Sequence, residues 1–281
     1  MRELPVTMAT EDPLKLLEQI IEGSACEFEK NLAHSLGSAM AVAVRGGKRL
    51  RARCVLVVVD AHHKSKNSRT GLYVATALEF LHAATCVIDD MHLFDDSLTR
   101  RGVPSVPSKF GPSVAVLAAG NLLVHVMSMV IREPEICIDR LCRMQAAITT
   151  TCDLTAEGQL SEECGDGDAL SVARRKTGAL FGLACALGGI LSGVDLIGVA
   201  RLQTQGEALG VLLQMVDDGE DIEEDRARGR PGNNTLLSLG VDEYLVQAKL
   251  HYNVAQECEG LSTMASELYT KCRNVAVMRG V

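Results

Sequence analysis

The chain has 281 residues, of which 47 % are hydrophobic and 3 % aromatic, and its formal net charge is −8. The negative charge argues against nucleic-acid binding, which usually leaves a basic footprint. A core built from Ala, Leu, Val and Gly favours closely packed helices over a sheet rich in aromatic residues. Because no Pro-, Gly- or Ser-rich linker divides the chain, we predict one domain over residues 1–281.

Hydrophobic residues recur at helical spacing along most of the chain, and this pattern predicts an all-α fold. The predicted helices span, in chain order, residues 13–35, 51–61, 70–90, 113–132, 138–160, 170–191, 199–221 and 241–278. Turn residues separate several of them, for example Gly46-Gly47 and Gly165-Asp166-Gly167. No segment shows the sustained alternation of a strand.

Two apolar stretches, 114–131 and 178–194, approach the length that crosses a bilayer. The first contains Asn121 and His125, and the second is rich in glycine. We therefore predict core helices and no integral membrane segment.

The chain contains ten cysteines but no Cys-x-x-Cys motif, so we predict free thiols in a reducing compartment. The first ten residues lack the pattern of a signal peptide. Both observations predict a cytoplasmic location, with an organelle as the alternative if a targeting segment has been removed.

Two aspartate clusters follow apolar stretches that read as buried helices. Buried carboxylates are costly without a partner, and oxygen ligands of this kind suit Mg²⁺ together with water and substrate phosphate. The pattern therefore indicates diphosphate chemistry. The candidate ligands are Asp89, Asp90 and Asp95 in the first cluster and Asp217, Asp218 and Asp221 in the second.

The two clusters differ in their spacing. Asp217 and Asp221 are four residues apart, so one helix face presents both carboxylates. Asp89 and Asp95 are six apart, so the helix must loosen or end between them if both bind the same metal group. Asp96 would share the face of Asp89 on an unbroken helix, and this alternative stays open.

Basic motifs accompany the acids. Gly46-Gly47-Lys48-Arg49-Leu50-Arg51 offers backbone N–H groups and cations at a helix start, which suits an anion. Arg100 and Arg101 follow the first acidic cluster, and arginine binds phosphate in a bidentate manner. A further basic run, ending in Lys176-Thr177, leads into an apolar helix.

In their order and spacing, these motifs resemble the trans-isoprenyl diphosphate synthases, a family that includes farnesyl and geranylgeranyl diphosphate synthases. The resemblance rests on the Gly46–Arg51 motif, both aspartate clusters, Arg100-Arg101-Gly102, Gly158-Gln159, Lys176-Thr177 and Gln214. It covers residues 43–221, most of the chain.

The resemblance implies helices around a deep central cavity and a homodimer, with a heteromer as the alternative. It also implies head-to-tail condensation of an allylic diphosphate with isopentenyl diphosphate to an all-trans polyprenyl diphosphate. About three Mg²⁺ ions, or Mn²⁺ in their place, would bind the six aspartates and the allylic diphosphate.

The resemblance assigns further roles residue by residue. Diphosphate groups would be bound by Lys48, Arg49, Arg51, His82, Arg100, Arg101, Gln159 and Lys176. Arg100 and Lys176 would act on the leaving diphosphate, while Thr177 and Gln214 would lie beside the developing allylic cation.

The sequence departs from the family pattern at several positions, including Ala52, Ile88, Asn121 and Glu162. The largest departure is the segment 226–234, which has arginines where the family has lysines in a glycine-rich loop. Lys and Arg differ in reach and geometry, so turnover slower than that of relatives is expected.

Product length is partly readable. In such synthases the side chains four and five positions before the first aspartate floor the product pocket, and here they are the small Thr85 and Ala84. Deeper residues, among them Leu117, Met127 and Met129, would then close it. We predict geranylgeranyl diphosphate, with longer products as the alternative.

Three other functions compete with this interpretation. A weakly active or regulatory synthase subunit would typically lack one aspartate motif. A class I terpene cyclase would not need the Gly46–Arg51 motif or His82. A purely structural helical protein would explain neither cluster. We therefore predict an Mg-dependent prenyltransferase.

Overall fold

The computed structural model describes residues 12–63, 69–227 and 234–279, and most of these residues are helical. The all-α prediction is thereby confirmed. The chain divides into two compact units, Met1–Leu141 and Cys142–Val281. That the whole chain acts as one domain around a central cavity stays a prediction.

The first unit is built around one buried helix. Its elements are α1 (Pro13–Asn31), α2 (His34–Val44), α3 (Leu50–His63), α4 (Arg69–Asp89), β1 (Thr99–Arg100), β2 (Val103–Pro104), α5 (Val106–Phe110) and α6 (Pro112–Ile131). Helix α4 packs against α1, α2, α3 and α6 and is buried along most of its length. The two short strands form an antiparallel hairpin directly after the first aspartate cluster.

The second unit is built around a pair of helices. Helix α7 (Ile138–Cys164) begins four residues before this unit and lies mainly within it. The other elements are α8 (Ala169–Ala173), a π-helical turn (Arg174–Gly178), α9 (Ala179–Leu191), α10 (Leu196–Glu220), α11 (Ile222–Ala227), α12 (Thr235–Leu239), α13 (Val241–Ala255) and α14 (Ser262–Arg279). Every residue of α9 is buried. Helix α10 packs closely on α9 and on the π-helical turn, because Gly206 lies against the Phe181 backbone and Gly210 against the backbone of Thr177 and Gly178.

Two predicted helices are wrong in their extent. The helix predicted over residues 13–35 ends at Asn31, because Leu32 is extended, and α2 follows as a helix that was not predicted. The helix predicted over 241–278 is two helices, α13 and α14, separated by a turn in which Gly260 has φ +90°. A turn can break a helix wherever tertiary packing stabilises it, so hydrophobic periodicity alone misses such breaks.

Within the part of the chain that the structure describes, two helices are long and apolar enough to cross a membrane by composition, α4 and α6. The apolar window of α4 is 83 % buried, which identifies it as a core helix, whereas that of α6 is only 39 % buried. The predicted apolar stretch at 178–194 is confirmed as a core helix, since α9 is wholly buried. All ten cysteines are free thiols. A cytoplasmic location stays a prediction.

The contact between α9 and α10 leads to a stability prediction. A Cβ atom at Gly206 would lie 2.4 Å from the Phe181 carbonyl oxygen, and backbone at that position cannot yield easily. We expect Gly206→Ala to lower the unfolding free energy by about 1–3 kcal/mol through overpacking, despite the better helix propensity of alanine. Chemical denaturation measures the change.

The matched control is Gly23→Ala in α1, where a Cβ atom would meet no atom within 4 Å. There the substitution should raise the unfolding free energy by about 0.5–1 kcal/mol. Equal stabilisation by both substitutions would contradict the close packing of α9 and α10.

Candidate active site

The first aspartate cluster lies where α4 ends. The helix stops at Asp89, and the Asp95 N–H donates to the Asp89 carbonyl oxygen at 2.9 Å, so the chain folds back on itself. Asp96 has φ +50° and donates its N–H to the Met91 carbonyl oxygen. The predicted helix break is therefore present, and the backbone of Asp95 lies beside Asp89. The side chains of Asp89 and Asp95 are both half-buried.

Asp90 is bonded inside the first unit. It is 3 % exposed, and the Arg100 Nε donates to its two carboxylate oxygens at 2.9 and 2.8 Å. Burial opposes the charge of Arg100, but the hydrogen bond to Asp90 raises the pKa of the guanidinium above its ordinary value. Because Nε is engaged, the terminal Nη groups of Arg100 remain the donors for another anion.

The basic loop between α2 and α3 has an unusual backbone. Gly46 and Gly47 have φ of +74° and +107°, a region that glycine adopts without strain. Arg101 Nη1 donates to the carbonyl oxygens of Arg45 and Gly46 at 2.9 and 3.0 Å. A Cβ atom at Gly47 would lie 3.1 Å from the Arg101 guanidinium, so this close approach requires glycine. The Lys48 side chain is exposed.

Arg49, a predicted diphosphate ligand, lies in the interior of the first unit. Its side chain is 5 % exposed and donates to Glu18 at 2.8 Å and to Glu79 at 3.3 Å. It also donates to the Val44 carbonyl oxygen, while the second Glu79 oxygen accepts the Ala52 N–H. These contacts connect the loop to α1, α2, α3 and α4. Arg49 therefore stabilises the conformation of the loop.

Arg51 and His82 form a half-buried polar pair. Arg51 Nη1 lies 3.0 Å from His82 Nε2. Since arginine only donates, Nε2 accepts, and the neutral ring carries its proton on Nδ1. Burial and the nearby Arg51 charge lower the pKa of His82 well below its ordinary value. The neutral His82 therefore lies among arginine side chains, and this cationic environment suits an anion.

The second unit places Lys176 and Thr177 on the π-helical turn. Such turns often occur at functional sites. Gly158 on α7 allows the turn to approach, because a Cβ atom there would lie 2.7 Å from the Arg175 Cβ. Lys176 forms an ion pair with the half-buried Glu162 of α7.

Gln159, the neighbour of that glycine, is 8 % exposed. Its Nε2 donates to Glu163 at 3.5 Å, and its Oε1 is buried with no hydrogen-bond partner within the described residues. A buried acceptor in this state suits a ligand group.

A hydrogen-bonded chain connects the π-helical turn with the second aspartate cluster. The Thr177 hydroxyl donates to Gln214 Oε1 at 2.7 Å, and Gln214 Nε2 donates to Asp218 Oδ1 at 2.7 Å. The second Asp218 oxygen accepts the Thr235 N–H at 2.9 Å. Asp218 is 6 % exposed. Burial raises the pKa of Asp218 to about 6, although the two hydrogen bonds work in the opposite direction.

The other two aspartates of this cluster are more accessible. Asp217 is half-buried and Asp221, which follows the last residue of α10, is exposed. The Asp221 N–H donates to the Asp217 carbonyl oxygen, as in a continuing helical turn. The predicted spacing on one helix face is therefore present.

The carboxylates fit a cation that brings its own ligands. Among the described residues, no three His, Cys, Asp or Glu side chains form a ready-made metal cage. Each cluster instead offers two accessible carboxylates and one buried carboxylate with internal partners. Mg²⁺ is commonly held by one or two carboxylates, water and substrate phosphate, so the donor set fits Mg²⁺.

Two supporting residues were not predicted. Glu79 is the one acidic residue between Thr70 and Ile88 of α4, and this isolation was a signal that could have been used. Asn234 caps α12 and donates to the Asp218 carbonyl oxygen, but its sequence context resembles any loop end. The arginine-containing loop falls mainly on residues 228–233, outside the described residues.

Comparisons with known proteins identify the family. The family model described as "Polyprenyl synthetase" matches residues 33–234. A farnesyl diphosphate synthase of Geobacillus stearothermophilus is 30 % identical over 88 % of this chain and 86 % of its own length. A farnesyl diphosphate synthase of Bacillus subtilis is 29 % identical over 82 % of this chain and 84 % of its own length.

Solved structures agree in fold. A geranyltranstransferase of Thermotoga maritima aligns with a TM-score of 0.77 and 22 % identity, over 95 % of this chain and 98 % of that protein. At this identity the likeness concerns the fold alone. Together with the family match, these findings show that the chain belongs to the polyprenyl synthetase family of trans-prenyltransferases.

Proposed function

We propose that this chain condenses an allylic diphosphate with isopentenyl diphosphate head-to-tail. The observation that carries the proposal is the group of basic side chains in the first unit, where Arg51 contacts His82 and Arg101 donates to the basic loop. A terpene cyclase has no use for this second diphosphate site. The relatives named as farnesyl diphosphate synthases support the same reaction class.

The proposed metal ligands are the accessible carboxylates, Asp89 and Asp95 in one cluster and Asp217 and Asp221 in the other. Asp90 and Asp218 were also predicted as ligands, but their burial and internal hydrogen bonds argue against direct ligation. When bound, Mg²⁺ supplies Lewis-acid stabilisation to the leaving diphosphate.

The cationic side chains hold the two diphosphates in this proposal. Arg100, oriented by Asp90, and Lys176 are assigned to the allylic diphosphate, and Gln159 is assigned as a further diphosphate ligand. Lys48, Arg51, His82 and Arg101 hold isopentenyl diphosphate through the basic loop. Arg49 was predicted as a ligand too, but its internal ion pairs favour a supporting role.

The developing cation needs oriented dipoles in a dry site. We assign this role to Thr177 and Gln214, whose hydrogen bond fixes both oxygens. The diphosphate that leaves can accept the final proton, so the chain needs no dedicated general base.

The proposed reaction is tested with isotope-labelled isopentenyl diphosphate, an allylic diphosphate and Mg²⁺. We expect the purified chain alone to form labelled polyprenyl diphosphate. Asp89→Asn and Asp217→Asn should each reduce kcat by at least about a hundred-fold, because they weaken charge stabilisation of the leaving group.

The matched control is Asp60→Asn, which removes an exposed carboxylate from α3 and should leave kcat unchanged. Activity that appears only after a second, different chain is added would indicate a regulatory subunit. Undiminished activity in both cluster variants would refute the metal roles.

We infer that the main product is geranylgeranyl diphosphate. Ala84 is fully buried, and the Thr85 hydroxyl donates to the His82 carbonyl oxygen, so neither position places a bulky side chain on this part of α4. Phe80 lies one helical turn earlier than Ala84 and contacts Phe28, with ring centroids 5.7 Å apart. One turn is about 5.4 Å, close to the length of one isoprene unit.

We therefore assign the closed end of the product pocket to three aromatic side chains, which are Phe28 of α1, Phe80 of α4 and His125 of α6. Phe28 also meets His125 of α6 edge to face, with centroids 4.9 Å apart. Met127 and Met129 on the same helix are half-buried and buried. Leu117, which was predicted as a candidate floor, is 57 % exposed on the outer face of α6 and does not fit this role.

Two substitutions test this product assignment. Ala84→Phe should shift the main product to farnesyl diphosphate, because a ring closes the pocket one turn earlier. Phe80→Ala should lengthen the product by at least one isoprene unit. Chromatography of the dephosphorylated products measures both shifts, and an unchanged product in both variants would contradict the proposed floor.

A homodimer is the partner assignment that the first unit supports. Val116, Gly120, Leu123 and Val124 lie at helical spacing on one face of α6, and the valines and Leu123 are exposed. Leu117 and Ile131 extend this face, which we name the α6 stripe. Exposed apolar surface of this extent marks protein–protein contact, and a second copy offers an identical, self-complementary stripe.

The stripe is tested by Val124→Glu, which places a charge on its most exposed valine. Size-exclusion chromatography with light scattering should show a dimer for the wild type and a monomer for the variant. Val246→Glu, on the exposed side of α13, should remain dimeric. A monomeric wild type would contradict the homodimer, and a requirement for another chain would indicate a heteromer.

A further inference from the structure

The direction of each hydrogen bond in the chain from Thr177 to Asp218 is determined by chemistry. An ionised carboxylate only accepts, so Asp218 Oδ1 must face the amide nitrogen of Gln214. The Gln214 oxygen then points to Thr177, which has to donate its hydroxyl proton. As a result, the negative ends of both dipoles lie at the Thr177 and Gln214 oxygens.

Asp218 is fixed on both of its oxygens. Oδ1 accepts from Gln214 at 2.7 Å and Oδ2 accepts the Thr235 N–H at 2.9 Å. Its backbone carbonyl oxygen accepts from Asn234, which also donates to Asp225 at 2.6 Å. This anchoring distinguishes Asp218 from the more accessible Asp217 and Asp221 on the same helix end.

We propose that Asp218 is a positioning residue that sets the polarity of the Thr177–Gln214 pair and does not bind metal. The inference rests on the proposed function, because it takes Thr177 and Gln214 to lie beside the developing allylic cation. Preorganised dipoles stabilise such a charge only when their negative ends face it. Asp218 therefore acts on the reaction through Gln214.

The variant Asp218→Asn reverses this polarity. The oxygen of the introduced amide would accept the Thr235 N–H, which leaves the NH₂ group of that amide facing Gln214. Gln214 must then rotate to accept, and its own NH₂ group turns toward Thr177. Shape and burial are kept, but N–H groups replace oxygen atoms beside the cation.

The exchange variant Gln214→Glu with Asp218→Asn restores the polarity. The introduced carboxylate at position 214 accepts from the amide NH₂ group at position 218 and from the Thr177 hydroxyl. The amide oxygen at position 218 accepts the Thr235 N–H. Every hydrogen bond is satisfied, and the total charge of the pair is unchanged. A metal ligand at position 218 could not be restored in this way.

The experiment compares kcat and the Mg²⁺ concentration for half-maximal activity in four proteins. We expect Asp218→Asn to lower kcat by about ten- to a hundred-fold, with half-saturating Mg²⁺ within about twofold of the wild type. The exchange variant should recover at least about fivefold of that loss. Asp217→Asn, at a proposed ligand, should raise half-saturating Mg²⁺ by about tenfold or more.

A second readout does not depend on turnover. Mg²⁺ with inorganic diphosphate should raise the Tm of Asp218→Asn by as much as it raises the Tm of the wild type. The increase in Tm should be smaller for Asp217→Asn. Asp195→Ala removes the N-cap at the opposite end of α10 and controls for a general loss of helix stability. It should lower Tm without lowering kcat.

The possible outcomes separate the two proposals. A loss of the Mg²⁺-dependent Tm shift in Asp218→Asn, or an exchange variant that does not recover kcat, would overturn the role of Asp218. A wild type that binds Mg²⁺ and diphosphate without condensing substrates would refute the proposed function. In that case, the Mg²⁺-dependent Tm shift of Asp218→Asn, compared with that of Asp217→Asn, still decides whether Asp218 binds metal.

Discussion

The structure depends on how carboxylates are accommodated on apolar helices. A buried charge is tolerated only with partners that replace its lost hydration. Glu79 forms an ion pair with Arg49, and Asp90 forms one with Arg100. Asp218 accepts hydrogen bonds from Gln214 and from a backbone N–H group. Each of these buried acids fixes a neighbouring polar or basic side chain, and in our proposal the more accessible acids of the two clusters bind the metal.

This division of roles links the fold to the chemistry. In the first unit, Glu79 supports the basic loop through Arg49, and Asp90 directs the Arg100 guanidinium. In the second unit, Asp218 determines how Gln214 presents its amide. The carboxylates that bind no metal in our proposal thus position the groups that contact diphosphate and the cation.

Much of the fold and the family could be predicted from the sequence, because the helices are strongly periodic and the motifs occur in a fixed order. The break after Asp89 was also predictable, because two metal ligands six residues apart cannot lie on the same face of a continuous helix. Helix α2 and the turn near Gly260 were missed because tertiary packing, not periodicity, determines them. The internal bonding of Arg49 and Asp218 was not predictable, because spacing alone does not tell which side of a helix is enclosed.

The central claim is that each aspartate cluster divides its acids between metal binding and positioning. A crystal structure of the protein with Mg²⁺, isopentenyl diphosphate and a non-reactive allylic diphosphate analogue tests it most directly. We predict Mg–O distances of about 2.0–2.1 Å to Asp89, Asp95, Asp217 and Asp221, with Asp218 still bonded to Gln214. Metal bound directly by Asp90 or Asp218 would contradict the account.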